Sequence, residues 1–288
     1  MLNDITFGQY YPITSFVHNM DARAKILLSI AMIVAIFLAD NFYGLLLVTG
    51  FTLFMILVAK LPLFRVLRSL KMILFITIFM TIFTVLFGSK NDAVIAKWWI
   101  FVITYQGIVN ALFLVLRLIL LVVATSVLTL TTTPVALTDA IESLLTPLKW
   151  IKFPVHAFAM IMSIALRMIP TLIEETNKII AAQKARGANF EKGGLIQKAK
   201  AMIPVLVPLL VNAFHRSEEL ANAMDARCYS GSKKRTKYKK LVFTYRDILA
   251  VVFVAGLITG IVLLNKPQFA NMEILRQILH LFKVQVSW

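Results

Sequence analysis

Charge is what this chain has least of. Only 15% of its 288 residues are Asp, Glu, Lys or Arg, where soluble domains carry about a quarter. With 59% hydrophobic residues and a mean hydropathy of +0.82, this excludes an ordinary soluble domain and indicates an integral membrane protein. Acidic residues are scarcer still, 14 against 30 Lys and Arg, a net charge of +16. In a soluble protein that excess would suggest nucleic acid. In a membrane protein it reflects cationic cytoplasmic loops and anionic lipid, so the bilayer is the expected partner and no nucleic acid is expected. A single cysteine, Cys228, excludes an internal disulfide, and nothing indicates an oxidising compartment. No Gly-Lys dipeptide occurs, which excludes a Walker A loop and ATP binding of that kind. His18, His156, His215 and His280 stand apart, without metal-ligand spacing, so each is read as structural or interfacial and no metal site is expected. Residues 1–24 lack a short apolar core followed by a small-residue cleavage site, so no removable signal peptide is read.

What is present is a series of apolar runs. A bilayer core of roughly 30 Å takes about 20 residues of helix. Segments 25–39, 43–59, 72–88 and 107–130, with a fifth at 247–265, are predicted to span. Asp40-Asn41 permits only a tight reversal between the first two. The connection 60–71 carries Lys60, Arg65, Arg68 and Lys71, which the positive-inside rule places in the cytoplasm. Counting back, the N-terminal segment 1–24 is also cytoplasmic; counting forward, 89–106 is outside and the chain re-enters near Thr131-Thr132-Thr133-Pro134.

Residues 131–246 read differently. Segments 154–169 and 201–214 are apolar, but about 16 helical residues reach only roughly 24 Å. Two extra spans would also put Arg186, Lys192, Lys198 and Lys200 outside, against the charge rule. The predicted architecture is therefore an all-α integral membrane protein. About five transmembrane helices (25–130 and 247–265) carry a cytoplasmic-side helical domain at 131–246 and a tail at 266–288. Within the domain, Pro134, Pro147 and Pro154 bracket a short helix at 135–145 bearing Asp139 and Glu142. Pro170 is read as introducing a helix over 171–186, with Leu172, Ile173, Ile179 and Ile180 on one face and Glu174 and Lys178 paired on the other. Gly187 then marks its end. Pro204 and Pro208 lead into a helix over 209–228. The basic run 233–240 is read as a stop held by anionic lipid.

Candidate functional groups are few. Arg117, midway along a predicted span, is costly there and must face the bundle interior, a cavity or a partner; Thr125 and Thr131 are expected partners for a structural role. The other candidates are Arg186 and Arg227, 41 residues apart, each preceded by an alanine (Ala185, Ala226) and each closing a long amphipathic helix. A cation in a last turn is ordinary dipole compensation. Two in the same context suggest pegs whose planar forks bond carboxylates or carbonyls in a partner's groove.

Several motifs resemble the transmembrane (T) component of energy-coupling factor transporters, the EcfT/CbiQ family, over about residues 8–265. They include Gly8-Gln9-Tyr10 through Pro12, then Ser15, His18, Asp21, Arg23 and Lys25, and later Thr131-Thr132-Thr133-Pro134 and Pro147-Leu148. Leu166-Arg167-Met168-Ile169-Pro170, Ala182 to Gly187, Glu218-Glu219-Leu220-Ala221 and Ala223 to Tyr229 complete them. The resemblance implies a non-catalytic scaffold in a bacterial cell membrane. It binds no cofactor itself, while ATP and Mg belong to two ABC-type ATPase subunits. Long crossing coupling helices would dock these ATPases and hold one or more membrane-embedded substrate-binding (S) subunits for vitamin or metal-ion uptake. By the resemblance, Arg186 and Arg227 are the docking groups, with Ala185, Gly187 and Ala226 giving close approach. Arg167 and Pro170 join Arg117 as structural or coupling candidates. Cys228 stands where glycine is common, so Arg227 is expected to present differently from Arg186. Met160, Met162 and Met168 suit a surface that repacks. The competing readings are an integral membrane enzyme, for which no carboxylate cluster has a motif, and a stand-alone secondary transporter, which needs more midplane polarity.

Overall fold

The computed structural model describes residues 10–86, 94–98, 101–151, 154–188, 190, 194–229 and 242–265. In chain order the elements are α1 (Ala22–Leu38), α2 (Phe42–Val58), α3 (Leu63–Leu86), β1 (Val94–Trp98), β2 (Phe101–Thr104) and α4 (Tyr105–Thr131). There follow α5 (Pro134–Leu144), a 3₁₀ turn (Thr146–Ile151), α6 (Val155–Ala185), α7 (Leu195–Ala226) and α8 (Tyr245–Leu264). They fall into two compact units, one within Gln9–Thr133 and Leu241–Trp288, the other within Pro134–Lys240. Residues 1–9, the end of the third predicted span at 87–88, the basic run 233–240 and the tail 266–288 lie outside the described residues.

The first unit is a helical bundle. Asp21 caps α1 by accepting the Arg23 amide N–H (2.9 Å), as an acidic N-cap does. α4 and α8, 27 and 20 residues long, are long and apolar enough to cross a bilayer. At 17 residues, α1 and α2 each reach about 26 Å, the short end of the range. The stretch before the third span is helical, not a loop. α3 begins at Leu63, just after Pro62, and its basic first part, Leu63–Lys71, is bent by 60° from its apolar remainder, Ile73–Leu86. Leucine, arginine and lysine are good helix formers, and only the apolar remainder has the composition for hydrocarbon. The segment before α4 holds a small antiparallel hairpin, β1 against β2, with Trp98 opposite Phe101. It is the one departure from helix in an otherwise all-α protein among the described residues.

Ile36, Val48, Leu130 and Ile261 are fully buried inside the bundle, whereas Leu46, Leu57, Phe75 and Phe79 face outward. Apolar groups on both sides are what a lipid-facing bundle requires. α1 and α8 are tied at both ends and run parallel. The Asp21 amide donates to Asp247 Oδ1 (2.9 Å) where both begin; Asn265 Nδ2 donates to the Leu38 carbonyl (2.6 Å) where both end. Asn41 Nδ2 adds a bond to the Leu264 carbonyl (3.0 Å). With Lys25 Nζ on the Thr131 carbonyl (3.0 Å), the end of α4 and the start of α8 lie at one end of the bundle. The chain therefore leaves and re-enters the bundle on the same side.

In the second unit, α6 packs against α5 and α7. The short helix at 135–145 is found as α5. The separate helices expected after Pro170 and after Pro204 and Pro208 are not. α6 runs 31 residues through Pro170, and α7 runs 32 through both later prolines. An internal proline removes one N–H and costs about 3 kcal/mol. Breaking the helix would instead orphan up to four donors and four acceptors in an apolar stretch. Continuity also overturns the argument from shortness: as parts of 31- and 32-residue helices, 154–169 and 201–214 have length and composition sufficient to cross a membrane.

Candidate functional site

Arg186 and Arg227 occupy the same position in the same helix terminus. Arg186 is the C-cap of α6, with φ −84° and ψ 6°; Arg227 is the C-cap of α7, with φ −91° and ψ 17°. After Arg186, the Gly187 N–H donates to the Lys184 carbonyl and the Ala188 N–H to the Gln183 carbonyl, both at 3.0 Å. After Arg227, the Cys228 N–H donates to the Asp225 carbonyl (2.9 Å) and the Tyr229 N–H to the Met224 carbonyl (3.0 Å). This paired bonding is the Schellman motif, which needs a left-handed residue just past the cap. Gly187 (φ +89°) and Cys228 (φ +57°) provide it. The different presentation expected of Arg227 is not found: hydrogen bonding at the helix end outweighs the roughly 1–2 kcal/mol that a Cβ costs in that conformation. Both arginines are exposed, as are Ala185, Gly187, Ala226 and Cys228.

Upstream, Arg216 of α7 bonds Glu175 of α6 through its guanidinium, joining the two helices. Glu175 is largely buried, and its second oxygen, Oε2, has no hydrogen-bond partner, so its charge depends on Arg216. Nearer the start of α6, His156 Nδ1 lies 3.4 Å from Glu142 on α5. Arg167 and Pro170 lie on α6, exposed.

Arg117 does not meet Thr125 or Thr131, whose hydroxyls donate instead to their own helix at Leu121 and Val127. It reaches the α1–α2 link, donating to the Ala39 carbonyl (3.0 Å) and Asp40 Oδ1 (3.2 Å). Helical side chains lean toward their own N-terminus, which turns Arg117 away from Thr125 and Thr131, about two and four turns downstream. It thereby ties α4 to the link between α1 and α2.

Most of the N-terminal motif residues gather into one polar knot where α1 and α8 begin and α4 ends. His18 Nε2 donates to the Tyr11 carbonyl (3.0 Å); Nδ1 therefore accepts from the Ser15 hydroxyl (2.7 Å), whose oxygen receives the His18 amide (3.2 Å). This arrangement uses the neutral ring. Burial pushes the imidazole below its ordinary 6.5; bonding to the Tyr11 and Leu130 backbone opposes this, and the Lys25 charge reinforces it. Lys25, only 7% exposed, donates to the His18 (3.1 Å) and Thr131 carbonyls. Tyr11 carries the Arg65 guanidinium over its ring at 4.2 Å, and its amide donates to Leu130 (2.9 Å). Asp247, 1% exposed, completes the knot by accepting the Asp21 amide and the Thr244 amide (2.7 Å). Sequence reasoning missed Asp247 and Arg216, and took Glu175 only as half of the acidic pair Glu174-Glu175, without its partner. Thr244-x-x-Asp247 before an apolar run is the signature of a helix start and marked Asp247; nothing local marked Arg216.

The cavities are poor substrate sites. The bundle interior holds one of about 50 Å³ beneath Lys25, lined by Met32, Met55 and Val127. Small-molecule pockets run roughly 300–1,000 Å³ with convergent polar groups. The larger recesses, about 530 and 480 Å³, are lined by residues such as Leu47, Phe51 and Phe253, or Leu74, Ile78 and Ile119. Such walls suit lipid or another apolar helix.

Residues 14–238 match the model of a family described as cobalt transport protein, CbiQ. The chain is 49% identical over 265 residues to the energy-coupling factor transporter transmembrane protein EcfT of Ruminiclostridium cellulolyticum, covering 92% of this chain and 98% of the relative. The protein of the same name from Brevibacillus brevis is 49% identical over 255 residues (88% and 96%), and that of Bacillus subtilis 42% over 252 residues (88% and 95%).

Proposed function

Because the chain belongs to the family of energy-coupling factor transporter transmembrane proteins, multi-pass proteins of the cell membrane, we propose that it transmits movement from two ABC-type ATPase subunits to a separate S subunit. The S subunit binds the vitamin or metal ion. The observation carrying this reading is the matched pair of helix ends: two exposed arginines, each a C-cap followed by a left-handed residue. An arginine there is exposed at the helix end, the Schellman bonds already occupy two of the terminal carbonyls, and its guanidinium can fork onto carboxylates or carbonyls in a groove. Ala185, Gly187 and Ala226 add little bulk around it. ATP and Mg belong to the partners, and this chain performs no catalysis.

On this reading 25–130 and 247–265 form the membrane part, with 1–24 cytoplasmic and 266–288 a tail. Although α6 and α7 are long enough to span, the charge rule applied to Arg186, Lys192, Lys198 and Lys200 keeps 131–246 as the cytoplasmic coupling domain, where Arg167, Pro170, Met160, Met162 and Met168 serve the coupling surface. The exposed apolar row Leu206, Leu210 and Phe214 on α7 supports a surface for the S subunit or lipid.

The test is Arg186→Glu with Arg227→Glu in the full complex, reconstituted in vesicles. Charge reversal in a carboxylate-lined groove turns attraction into repulsion. ATPase co-purification is expected to fall at least about tenfold, the change that 1.4 kcal/mol produces. ATP-driven uptake is expected to disappear, while the chain elutes as wild type does. Normal uptake by the double variant would refute the docking role.

A further inference from the structure

We propose that the Glu175–Arg216 ion pair is the fulcrum that sets the spacing between Arg186 and Arg227. This inference rests on the docking role of the two arginines for its functional meaning, though not for its geometry. Arg186 lies eleven residues after Glu175, and Arg227 eleven after Arg216. At 1.5 Å per residue, each arginine therefore stands about 16 Å beyond the pair. The two prongs, from the pair to each arginine, are thus equal in length.

The prongs are stiff and the shafts are not. Every proline inside α6 and α7, Pro170, Pro204 and Pro208, precedes the ion pair. Residues 176–185 and 217–226 contain neither proline nor glycine, so nothing in them favours a kink. None of those residues is buried. The pair is half-buried, 35% exposed on Arg216 and 19% on Glu175, which strengthens it over a surface bridge. With Oε2 of Glu175 otherwise unpartnered, loosening the pair strands a buried charge, and that opposes separation of the helices there. A rotation of about 10° at the pair moves each tip by about 3 Å, given a prong of about 16 Å. That displacement is the length of a hydrogen bond, enough to take an arginine out of its groove.

The experiment is a double electron–electron resonance measurement on the full chain in lipid nanodiscs. Spin labels go on the native Cys228, the sole cysteine, and on Ala188→Cys. In Glu175→Gln and in Arg216→Gln the tip-to-tip distribution is expected to widen about twofold or to shift by about 3 Å, the movement a 10° rotation gives. The exchange Glu175→Arg with Arg216→Glu is expected to restore the wild-type width, which a loss of mere packing volume would not allow. Glu175→Asp, keeping the charge but shortening its reach by one methylene, serves if the neutral variants do not fold; a shifted mean is then expected. An unchanged distribution in these variants, or an exchange that stays broad, overturns the fulcrum. Co-purification with the ATPases is scored separately in Arg186→Glu with Arg227→Glu. Normal binding there removes the docking role and leaves the fulcrum standing; a lost fulcrum leaves the docking role standing.

Discussion

At Cys228 the backbone is left-handed and the side chain open to solvent. Its Cβ costs roughly 1–2 kcal/mol relative to glycine in that conformation. Cys228→Gly is therefore expected to stabilise the α7 terminus by about 1 kcal/mol. The readout is hydrogen exchange of the Tyr229 amide, which donates to Met224, slowed about fivefold. Equal exchange in both forms would mean the terminus bears no such cost. At the same scale, Arg117 shows what a sequence hides. Its expense inside a span was evident, but its acceptors, Ala39 and Asp40, are 78 and 77 residues away. No local spacing could single them out, and Thr125 and Thr131 attracted attention only by lying on the same helix.

Among the elements, the stretch before α1 depends on a neutral imidazole. The His18 pKa is lowered in the folded chain, while in the unfolded chain the ring takes a proton near 6.5. Between those values the unfolded state binds more protons, so His18 stabilises the fold fully above 6.5. That contribution is lost as pH falls through the lowered, folded value. The unfolding temperature in nanodiscs is expected to hold from pH 8 to 7 and to fall below 6.5. His18→Gln, which keeps a donor for the Tyr11 carbonyl, should make the fall shallower; an equal fall in both would clear His18 of the dependence. Element existence was well legible: the apolar runs gave α1, α2, α4 and α8 to within three residues at each end, and the bracketing prolines gave α5. Internal prolines misled, because proline read locally is a stop. A helix whose neighbouring turns are strongly helical carries the loss of one hydrogen bond. The Ala-Arg helix ends were legible through Gly187 and the apolar periodicity. The Glu175–Arg216 tie was not, since its members sit 41 residues apart with no pattern linking them.

For the molecule as a whole, the second unit is an insertion. Among the described residues the bundle opens with α1 and closes with α8, and residues 134–240 lie between its two parts in sequence. Among the described residues, the second unit has few buried ones, Ala140, Val155, Ala159 and Val205, so most of its apolar side chains lie at the surface. A chain ending after Lys240 would leave the Asp21 amide, Lys25 and Asn41 without the groups that α8 brings. It is expected to disappear from membranes severalfold faster in a pulse–chase than a chain ending after Asn265. Equal lifetimes would show that the bundle closes without α8.

The parallel pairing of α1 with α8 also sets a clock. Asp247 leaves the ribosome 226 residues after the Asp21 it must meet. At roughly 5–20 residues per second, synthesis takes on the order of ten to forty-five seconds to cover that distance. Through that interval the first helix waits in the bilayer with its charged end half-satisfied, and the whole arm-bearing unit emerges before the membrane bundle can shut. α8 is the latch of biogenesis, and a chain stalled before it is an open, recognisable substrate for membrane quality control.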